Sequence, residues 1–183
     1  CRALGVAAKT VKADVADPEG CAALAAALDD GPLHILINNA GVTRHAKDHS
    51  DLNALNKDDF MDTYAVNVVG PYLALQALKP ALLRAYEETG RASAVLNTSS
   101  IAGVVGIGSS VAYAASKGAL NTMTLSLARA LGPAIRVNAV CPGFIGTRWF
   151  KDAMDEDAYA AIVARVEAST PLAAASGPDD VAD

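Results

Sequence analysis

The sequence predicts an α/β fold in which helices cover both faces of a doubly wound parallel sheet, in three layers. Four short apolar runs, rich in branched side chains, alternate with longer stretches that have helix signals at their ends. Strands that are apolar on both faces are typical of a parallel sheet covered on each side by helices. The predicted strands are Thr10–Val15, Leu33–Asn38, Ala94–Thr98 and Ile135–Val140.

The helices are predicted from capping residues and dipole-compatible charges. Asp17 is a good N-cap and Pro18 fits the first helical position, so the first helix is expected to begin there. Asn56 and a serine at 109 or 110 mark two further helix starts, and Gly132-Pro133 marks a helix end. The longer predicted helices are Lys57–Tyr86, Val111–Leu131 and Asp155–Glu167.

Pro71 lies inside the second predicted helix. A proline has no amide hydrogen, so the carbonyl of Asn67, four residues earlier, loses its helical partner. This break predicts either a simple kink or a carbonyl at Asn67 that is free to hold an ordered water.

Composition limits the class of protein. With 183 residues, 52% of them hydrophobic and 19% charged, the chain predicts one globular domain over residues 1–183. The net charge of −5 and the absence of a basic block argue against a nucleic-acid partner. The apolar runs are too short for a membrane span.

Cysteines and histidines do not form an evident metal site in the sequence. The three cysteines, Cys1, Cys21 and Cys141, are scattered and odd in number, which favours free thiols and a cytoplasmic location. His45 and His49 are spaced four apart in a polar stretch that is typical of an exposed loop. No metal ligand is therefore predicted.

A serine, a tyrosine and a lysine carry the strongest chemical signal. Tyr113 and Lys117 are four residues apart in a predicted helix, so their side chains leave the same face one turn apart. An ammonium beside a phenol favours the phenolate, and the pKa of Tyr113 is therefore expected to fall below its usual value of about 10. Ser100 follows a predicted strand, at the sheet edge where open α/β sheets bind ligands. Because the spacing is common by chance, a helix with a core tyrosine and a solvated lysine is the competing interpretation.

Two glycine-containing turns follow other strands, and one glycine-rich stretch is misleading. Asn38-Asn39-Ala40-Gly41 and Pro142-Gly143 stand at the carboxyl ends of predicted strands, where small residues let a flat ligand approach the backbone. The stretch Gly103 to Gly108 looks like a dinucleotide fingerprint, but its glycine spacing differs from that pattern. We interpret it as a flexible wall of a substrate pocket.

Together these motifs resemble the classical short-chain dehydrogenase/reductase family, in the family's order and over almost the whole chain. The thirteen-residue step from Ser100 to Tyr113 is the family's usual one, and it favours Ser100 over Ser99. The resemblance rests on Asp14-Val15, Asn38-Asn39-Ala40-Gly41, Asn67, Ser100, Tyr113 with Lys117, and Pro142-Gly143 with Thr147.

The resemblance implies a Rossmann-like fold, a nicotinamide cofactor and four catalytic residues. Tyr113 would be the general acid/base, and Ser100 would hydrogen-bond the reacting oxygen. Lys117 would lower the pKa of Tyr113 and hold the nicotinamide ribose, and the Asn67 carbonyl would hold a water linked to Lys117. The cofactor, NAD or NADP, would be contacted by Asp14, Val15, Asn38, Ala40, Gly41, Tyr113, Lys117, Pro142, Gly143, Ile145 and Thr147.

The implied activity is the interconversion of a carbonyl and a secondary alcohol by hydride transfer, on a small-molecule substrate. Two alternatives stay open: a cofactor-binding sensor or scaffold without turnover, and an epimerase or dehydratase of the same family. The family also implies a homodimer or homotetramer through the two long helices. Trp149 and Phe150 would belong to a lid over the substrate, or else pack into the sheet layer or a subunit contact.

The sequence departs from the family pattern at its ends. The glycine-rich βα unit that binds the pyrophosphate is absent, as are the final helix and strand. We therefore expect the sequence to be part of a longer natural protein, and the residue that separates NAD from NADP is not in it.

Overall fold

The computed structural model describes residues 5–148 and 155–182, which fall into two compact units, Cys1–Cys141 and Pro142–Asp183. This division into two units does not test the prediction of one domain over residues 1–183, which stays a prediction. The first unit contains α1 (Pro18–Ala26), β1 (Ile35–Asn38), α2 (Lys57–Tyr64), a π-helical segment (Ala65–Val69), α3 (Gly70–Thr89), β2 (Ser93–Thr98), α4 (Ala102–Val105), α5 (Val111–Leu131) and β3 (Ile135–Val140). The second contains α6 (Glu156–Ser169) and α7 (Asp179–Ala182).

The sheet is parallel, as predicted, with β2 between β1 and β3. Asn38 pairs with Asn97, and Thr98 pairs with Val140, so the carboxyl ends of the three strands meet at one edge. Parallel neighbours need crossover connections, and helices supply them between consecutive strands. This arrangement confirms the predicted α/β fold class.

The core lies where the sheet meets α3 and α5. Buried side chains from α3, β2 and β3 form one cluster, which excludes water from this part of the sheet. Its members are Leu75, Leu82, Val95, Ile135 and Val137.

Capping residues set the helix starts as the sequence predicted. Asp17 accepts a hydrogen bond from the Glu19 amide, and Pro18 is the first residue of α1. Asn56 and Asp59 form a reciprocal capping box at α2. Ser110 caps α5, which spans the predicted Val111–Leu131.

The predicted strand Thr10–Val15 is wrong, because none of these residues belongs to a β-ladder in the structure. A strand exists only by pairing, and among the described residues no strand lies beside this segment. β1 begins at Ile35, two residues later than predicted, and it pairs on one side alone. Ile35 is consequently 60% exposed, which is high for an apolar side chain of a parallel strand.

The predicted helix Lys57–Tyr86 is one helical run that is widened in its middle. α2 continues through the π-helical segment into α3, and the Gly70 amide bonds the Ala65 carbonyl, five residues back. A π-segment of this kind accommodates an extra residue and is frequent at functional sites. Pro71 stands just after it, so the proline falls at the helix distortion that the sequence predicted.

The stretch after Ser100 is not a flexible wall. Residues Ala102–Val105 form the short helix α4, which packs on α5, and Gly106 ends it in the left-handed region with φ of 73°. The sequence interpretation is corrected here, because glycine at 103 serves close packing rather than mobility.

The second unit is built around α6. Asp155 caps this helix by accepting from the Ala158 amide, and α6 ends two residues beyond the prediction. The rings of Phe144 and Tyr159 lie 6.0 Å apart between centroids. Trp149 and Phe150, the predicted lid residues, lie outside the described residues.

Candidate active site

The Ser100 side chain lies within hydrogen-bonding reach of the Tyr113 side chain, close enough to lower the pKa of the phenol. Tyr113 is the third residue of α5, and its amide is held by the Oγ of Ser110 at 3.1 Å. Ser100 lies two residues after β2, and its Oγ also accepts from the Ala102 amide at 3.1 Å. The cap of α5 and the turn after β2 therefore bring the phenol and the hydroxyl together at the carboxyl edge of the sheet.

Lys117 lies one helical turn beyond Tyr113, on the same side of α5. Its Nζ is 5.7 Å from the centre of the Tyr113 ring and donates to the Thr98 carbonyl at 2.7 Å. The residue is 4% exposed. The structure therefore brings Ser100, Tyr113 and Lys117 into one constellation, as their spacing predicted.

The direction of the Tyr113 pKa differs from the sequence-based expectation. Burial raises the pKa of Tyr113 above its ordinary value, and the hydrogen bond from Ser100 offsets part of that rise. Burial also lowers the pKa of Lys117 to about 8, which the nearby Cys141 partly opposes. The expectation that the pKa of Tyr113 falls below its usual value is therefore wrong for this structure, because the effect of burial is the largest one. Both groups lie in a poorly solvated place, and the ammonium is engaged with Thr98.

Asn67 is buried in the π-helical segment and is fixed by its side chain. Its Oδ1 accepts from the Val42 amide at 2.8 Å, and its Nδ2 donates to the Val42 carbonyl at 2.9 Å. The same Nδ2 donates to Ser116 Oγ at 3.0 Å, and Ser116 donates to the Tyr113 carbonyl at 2.8 Å. Asn67 thus connects the turn after β1 to the helix turn that carries Tyr113.

Sequence reasoning found Asn67 through its backbone and missed both Ser116 and the role of the amide side chain. It also missed Ser99, whose Oγ donates to the Lys117 carbonyl at 3.1 Å. Each of these contacts joins residues at least eighteen positions apart, so no local pattern reveals them. A buried polar residue beside a predicted catalytic residue is the one available signal.

Three of the predicted cofactor residues line one cavity of about 100 Å³ beside β1. Val15, Asn38 and Ala40 form its wall together with apolar residues of α1, β1 and α3. The Asn38 side chain also donates to Asn97 Oδ1 at 2.9 Å, which links the ends of β1 and β2. Asp14 lies next to Val15, and its Oδ1 accepts from the Ala16 amide at 2.9 Å.

Gly41, another predicted cofactor residue, lies beside the catalytic constellation. A methyl group built at Gly41 would lie 3.4 Å from Asn67 Oδ1 and 3.6 Å from Lys117 Nζ, which is ordinary contact distance. The backbone at Gly41 therefore lies directly beside the ammonium. This placement gives a ligand that touches Gly41 access to Lys117.

The remaining predicted cofactor residues, Pro142, Gly143, Ile145 and Thr147, belong to the second unit. Within that unit, Ile145 forms an isolated parallel bridge with Ser176. The Thr147 amide donates to the Ile145 carbonyl at 2.7 Å. Their assignment to the nicotinamide end stays a prediction.

The environment of Lys117 fits a polyhydroxylated ligand. Its ammonium has three donors, and the Thr98 carbonyl is its one hydrogen-bond acceptor within the described parts of the chain. A buried cation with unused donors is unfavourable unless a polar group completes its coordination. Ribose hydroxyls beside Gly41 have the required chemistry, so these residues fit the nicotinamide nucleoside that the family implies.

Residues 5–148 and 155–182 contain no group of three metal-binding side chains close enough to hold an ion. Within the same ranges, no helix has the length and apolarity that crossing a membrane requires.

Comparison with known proteins adds four findings. A family model described as enoyl-(acyl carrier protein) reductase matches residues 1–183. A Streptomyces violaceoruber protein, named as ketoacyl reductase 2 of the granaticin polyketide synthase, is 42% identical over 153 residues, or 84% of this chain. The chain spans 58% of the length of that relative.

A second relative is named as an inactive 2-(S)-hydroxypropyl-CoM dehydrogenase from Xanthobacter autotrophicus. It is 36% identical over 98% of this chain and 76% of its own length. A crystal structure from Burkholderia xenovorans, described as a short-chain dehydrogenase/reductase, has a TM-score of 0.86 and 38% identity. That superposition covers 100% of this chain and 69% of the other.

Proposed function

Since this chain belongs to the short-chain dehydrogenase/reductase family, we propose that it is an NAD- or NADP-dependent oxidoreductase interconverting a carbonyl and a secondary alcohol. The observation that carries the proposal is the proximity of three side chains: Ser100 lies within hydrogen-bonding reach of Tyr113, and the Lys117 ammonium lies 5.7 Å from the centre of the phenol ring. A proton donor, an oxygen-binding hydroxyl and a cation are what carbonyl reduction requires of a protein.

In the proposed reaction, Tyr113 transfers the proton. During reduction the phenol donates its proton to the carbonyl oxygen, while Ser100 donates a hydrogen bond to that same oxygen as negative charge develops on it. A bound nicotinamide would supply the hydride to the carbonyl carbon, or accept one in the reverse direction. Lys117 is held by Thr98 and would bind the ribose through its remaining donors.

The raised pKa of Tyr113 keeps the phenol in its neutral form near neutral pH, which is the form that carbonyl reduction requires. The neutral phenol is the form that gives a proton, and burial stabilises that form. Alcohol oxidation needs the phenolate as the base, so its rate should rise with pH. We expect the reductive rate to stay flat or fall over the same range.

We propose the cofactor contacts residue by residue. Val15, Asn38 and Ala40 line the cavity beside β1, which supports them as contacts of the adenosine end. We include Asp14 because it directly precedes Val15 in the sequence. The position of Gly41 beside Lys117 supports a contact at the ribose. For the nicotinamide end we propose Pro142, Gly143, Ile145 and Thr147 from the family motif alone.

Turnover with a panel of ketones and secondary alcohols tests this function. Nicotinamide absorbance should change with at least one substrate, and the change should require cofactor of the matching oxidation state. Saturable cofactor binding without any change of absorbance across the panel would contradict the proposal.

The inactive Xanthobacter relative favours one second candidate, a cofactor-binding protein without turnover. That protein is 36% identical to this chain, so likeness at this level does not ensure activity. Such a protein would bind NAD or NADP and fail the turnover assay. The placement of Ser100, Tyr113 and Lys117 in one constellation supports the enzymatic candidate over this one.

Assembly as a homodimer or homotetramer is also a proposal. Large apolar side chains are exposed on the helical run through α3 and on α5, including Tyr72 and Leu125, the latter 59% exposed. Burying such faces between copies would remove them from water. Light scattering on Leu125→Glu tests this contact, with the exposed Ser126→Ala as the control. The oligomer of the glutamate variant should dissociate into smaller species. An unchanged molar mass would exclude Leu125 from the interface.

A further inference from the structure

Gly103 has no room for a side chain. It lies in α4, and a Cβ atom at this position would be 2.4 Å from the Lys117 carbonyl carbon and 2.5 Å from the Gly118 nitrogen. Both neighbours are backbone atoms, so no rotation of a side chain can relieve the overlap. The short helix α4 therefore rests backbone to backbone on α5, at the residue that carries the ammonium.

Hydrogen bonds fasten both α4 and the turn that precedes it to α5. Ser99 Oγ donates to the Lys117 carbonyl at 3.1 Å, and Asn121 Nδ2 donates to the Gly103 carbonyl at 3.5 Å. Gly103 is in turn joined to Ser100, because its amide donates to the Ser100 carbonyl at 3.1 Å. A displacement of Gly103 away from α5 would accordingly move Ser100 with it.

We propose that Gly103 is a positioning residue of the reaction: because it lacks a side chain, the turn bearing Ser100 seats against Lys117 and the Ser100 hydroxyl meets the Tyr113 phenol. This inference rests on the proposed function for its kinetic part. A hydrogen bond between two hydroxyls weakens steeply with distance. An alanine at 103 must move about 1 Å to reach normal contact, which is enough to break such a bond.

Gly118 is the matched control on the other side of the contact. A Cβ atom there would lie 3.4 Å from the Gly103 carbonyl oxygen, which is ordinary van der Waals distance. Gly118→Ala adds the same methyl group within α5, where alanine is the better helix former. Gly118→Ala should leave Ser100 in place. Comparing it with Gly103→Ala therefore separates the effect of the close contact at residue 103 from any general effect of replacing a glycine.

The first experiment titrates the Tyr113 phenol by absorbance, taking the difference between each protein and its Tyr113→Phe counterpart. Among the described residues, the ionisable groups at the site are Lys117 on the same helix and Cys141 beyond β3, and all variants retain them. Because the Ser100 bond lowers the phenol pKa, Gly103→Ala should raise it in the same direction as Ser100→Ala. Gly118→Ala should match wild type. Equal phenol pKa values in wild type and Gly103→Ala would overturn the proposal.

The second experiment combines substitutions in a kinetic cycle. Gly103→Ala should lower kcat about tenfold or more, with a smaller change in KM, because it removes an interaction with the reacting oxygen. In the Ser100→Ala background it should lower kcat no further. Full additivity of the two losses would show that Gly103 does not act through Ser100.

Ser99→Ala keeps the test decisive if Gly103→Ala does not fold. It loosens the same docking by removing one hydrogen bond and adds no atom. It should shift the phenol pKa in the same direction by a smaller amount, and an unshifted pKa would count against the proposal. A wild-type protein without turnover would refute the proposed function, whereas the phenol titration would still decide the role of Gly103.

Discussion

The Lys117 ammonium donates a 2.7 Å hydrogen bond to the Thr98 carbonyl at the end of β2. This bond ties the middle of α5 to the carboxyl edge of the sheet, and it holds a cation in a poorly solvated place. Burial lowers the pKa of Lys117 to about 8 as a result. The consequence of this pKa shift for the stability of the fold can be measured.

The free energy of unfolding should rise with pH between about 8 and the ordinary lysine value of 10.5. In this window Lys117 is protonated in the unfolded chain and neutral in the folded chain, so the folded state becomes more stable relative to the unfolded state as pH rises. The shift corresponds to at most about 3 kcal/mol. Denaturation of wild type and Lys117→Met across this window measures it. Since both keep Tyr113, parallel pH profiles of the two proteins would contradict the shift.

Ser116→Ala should destabilise the fold by about 1–3 kcal/mol, because one Asn67 N–H loses its partner at a fully buried site. The exposed Ser126→Ala on the same helix is the control, and it should be neutral or slightly stabilising. In an Asn67→Ala background, Ser116→Ala should lower the free energy of unfolding by less, because the hydrogen bond between the two side chains is already absent. Chemical denaturation of the four proteins measures the coupling, and additive losses would exclude it.

Gly20→Ala should destabilise the protein even though alanine favours helices. A Cβ atom at this position would lie 2.1 Å from the Asp14 carbonyl oxygen, so α1 or the Asp14 turn must move. We expect a loss of about 1–3 kcal/mol, together with weaker cofactor binding if Asp14 and Val15 contact adenine. Gly118→Ala is the comparison, since it should gain about 1 kcal/mol. An equal increase in the free energy of unfolding for Gly20→Ala and Gly118→Ala would contradict this expectation, because it would show that the contact with Asp14 is relieved without a loss of stability.

Helix boundaries were the part of the fold that the sequence predicted best, because their signals are local. The caps Asp17, Asn56 and Ser110 each bond amides two or three residues away, so a short window contains the information. The strand prediction at Thr10–Val15 failed since pairing depends on a neighbour distant in sequence. Apolar composition alone does not supply that neighbour.

The members of the candidate site were predictable, whereas its electrostatics and its supports were not. Spacing was enough to bring Tyr113 and Lys117 to one helix face. The pKa direction of Tyr113 was missed because it depends on burial, which the spacing does not encode. Gly103 was misread because its close contact is with Lys117 and Gly118, fourteen and fifteen positions away.

Proton transfer by Tyr113 is tested most directly by comparing turnover in wild type and Tyr113→Phe, followed by nicotinamide absorbance with a ketone that wild type reduces. Removal of the general acid should reduce kcat by about 100- to 10,000-fold. Cofactor affinity, measured separately, should stay close to wild type, because Lys117 and Gly41 remain in place. A phenylalanine variant that reduces the ketone at nearly the wild-type rate would contradict the assignment.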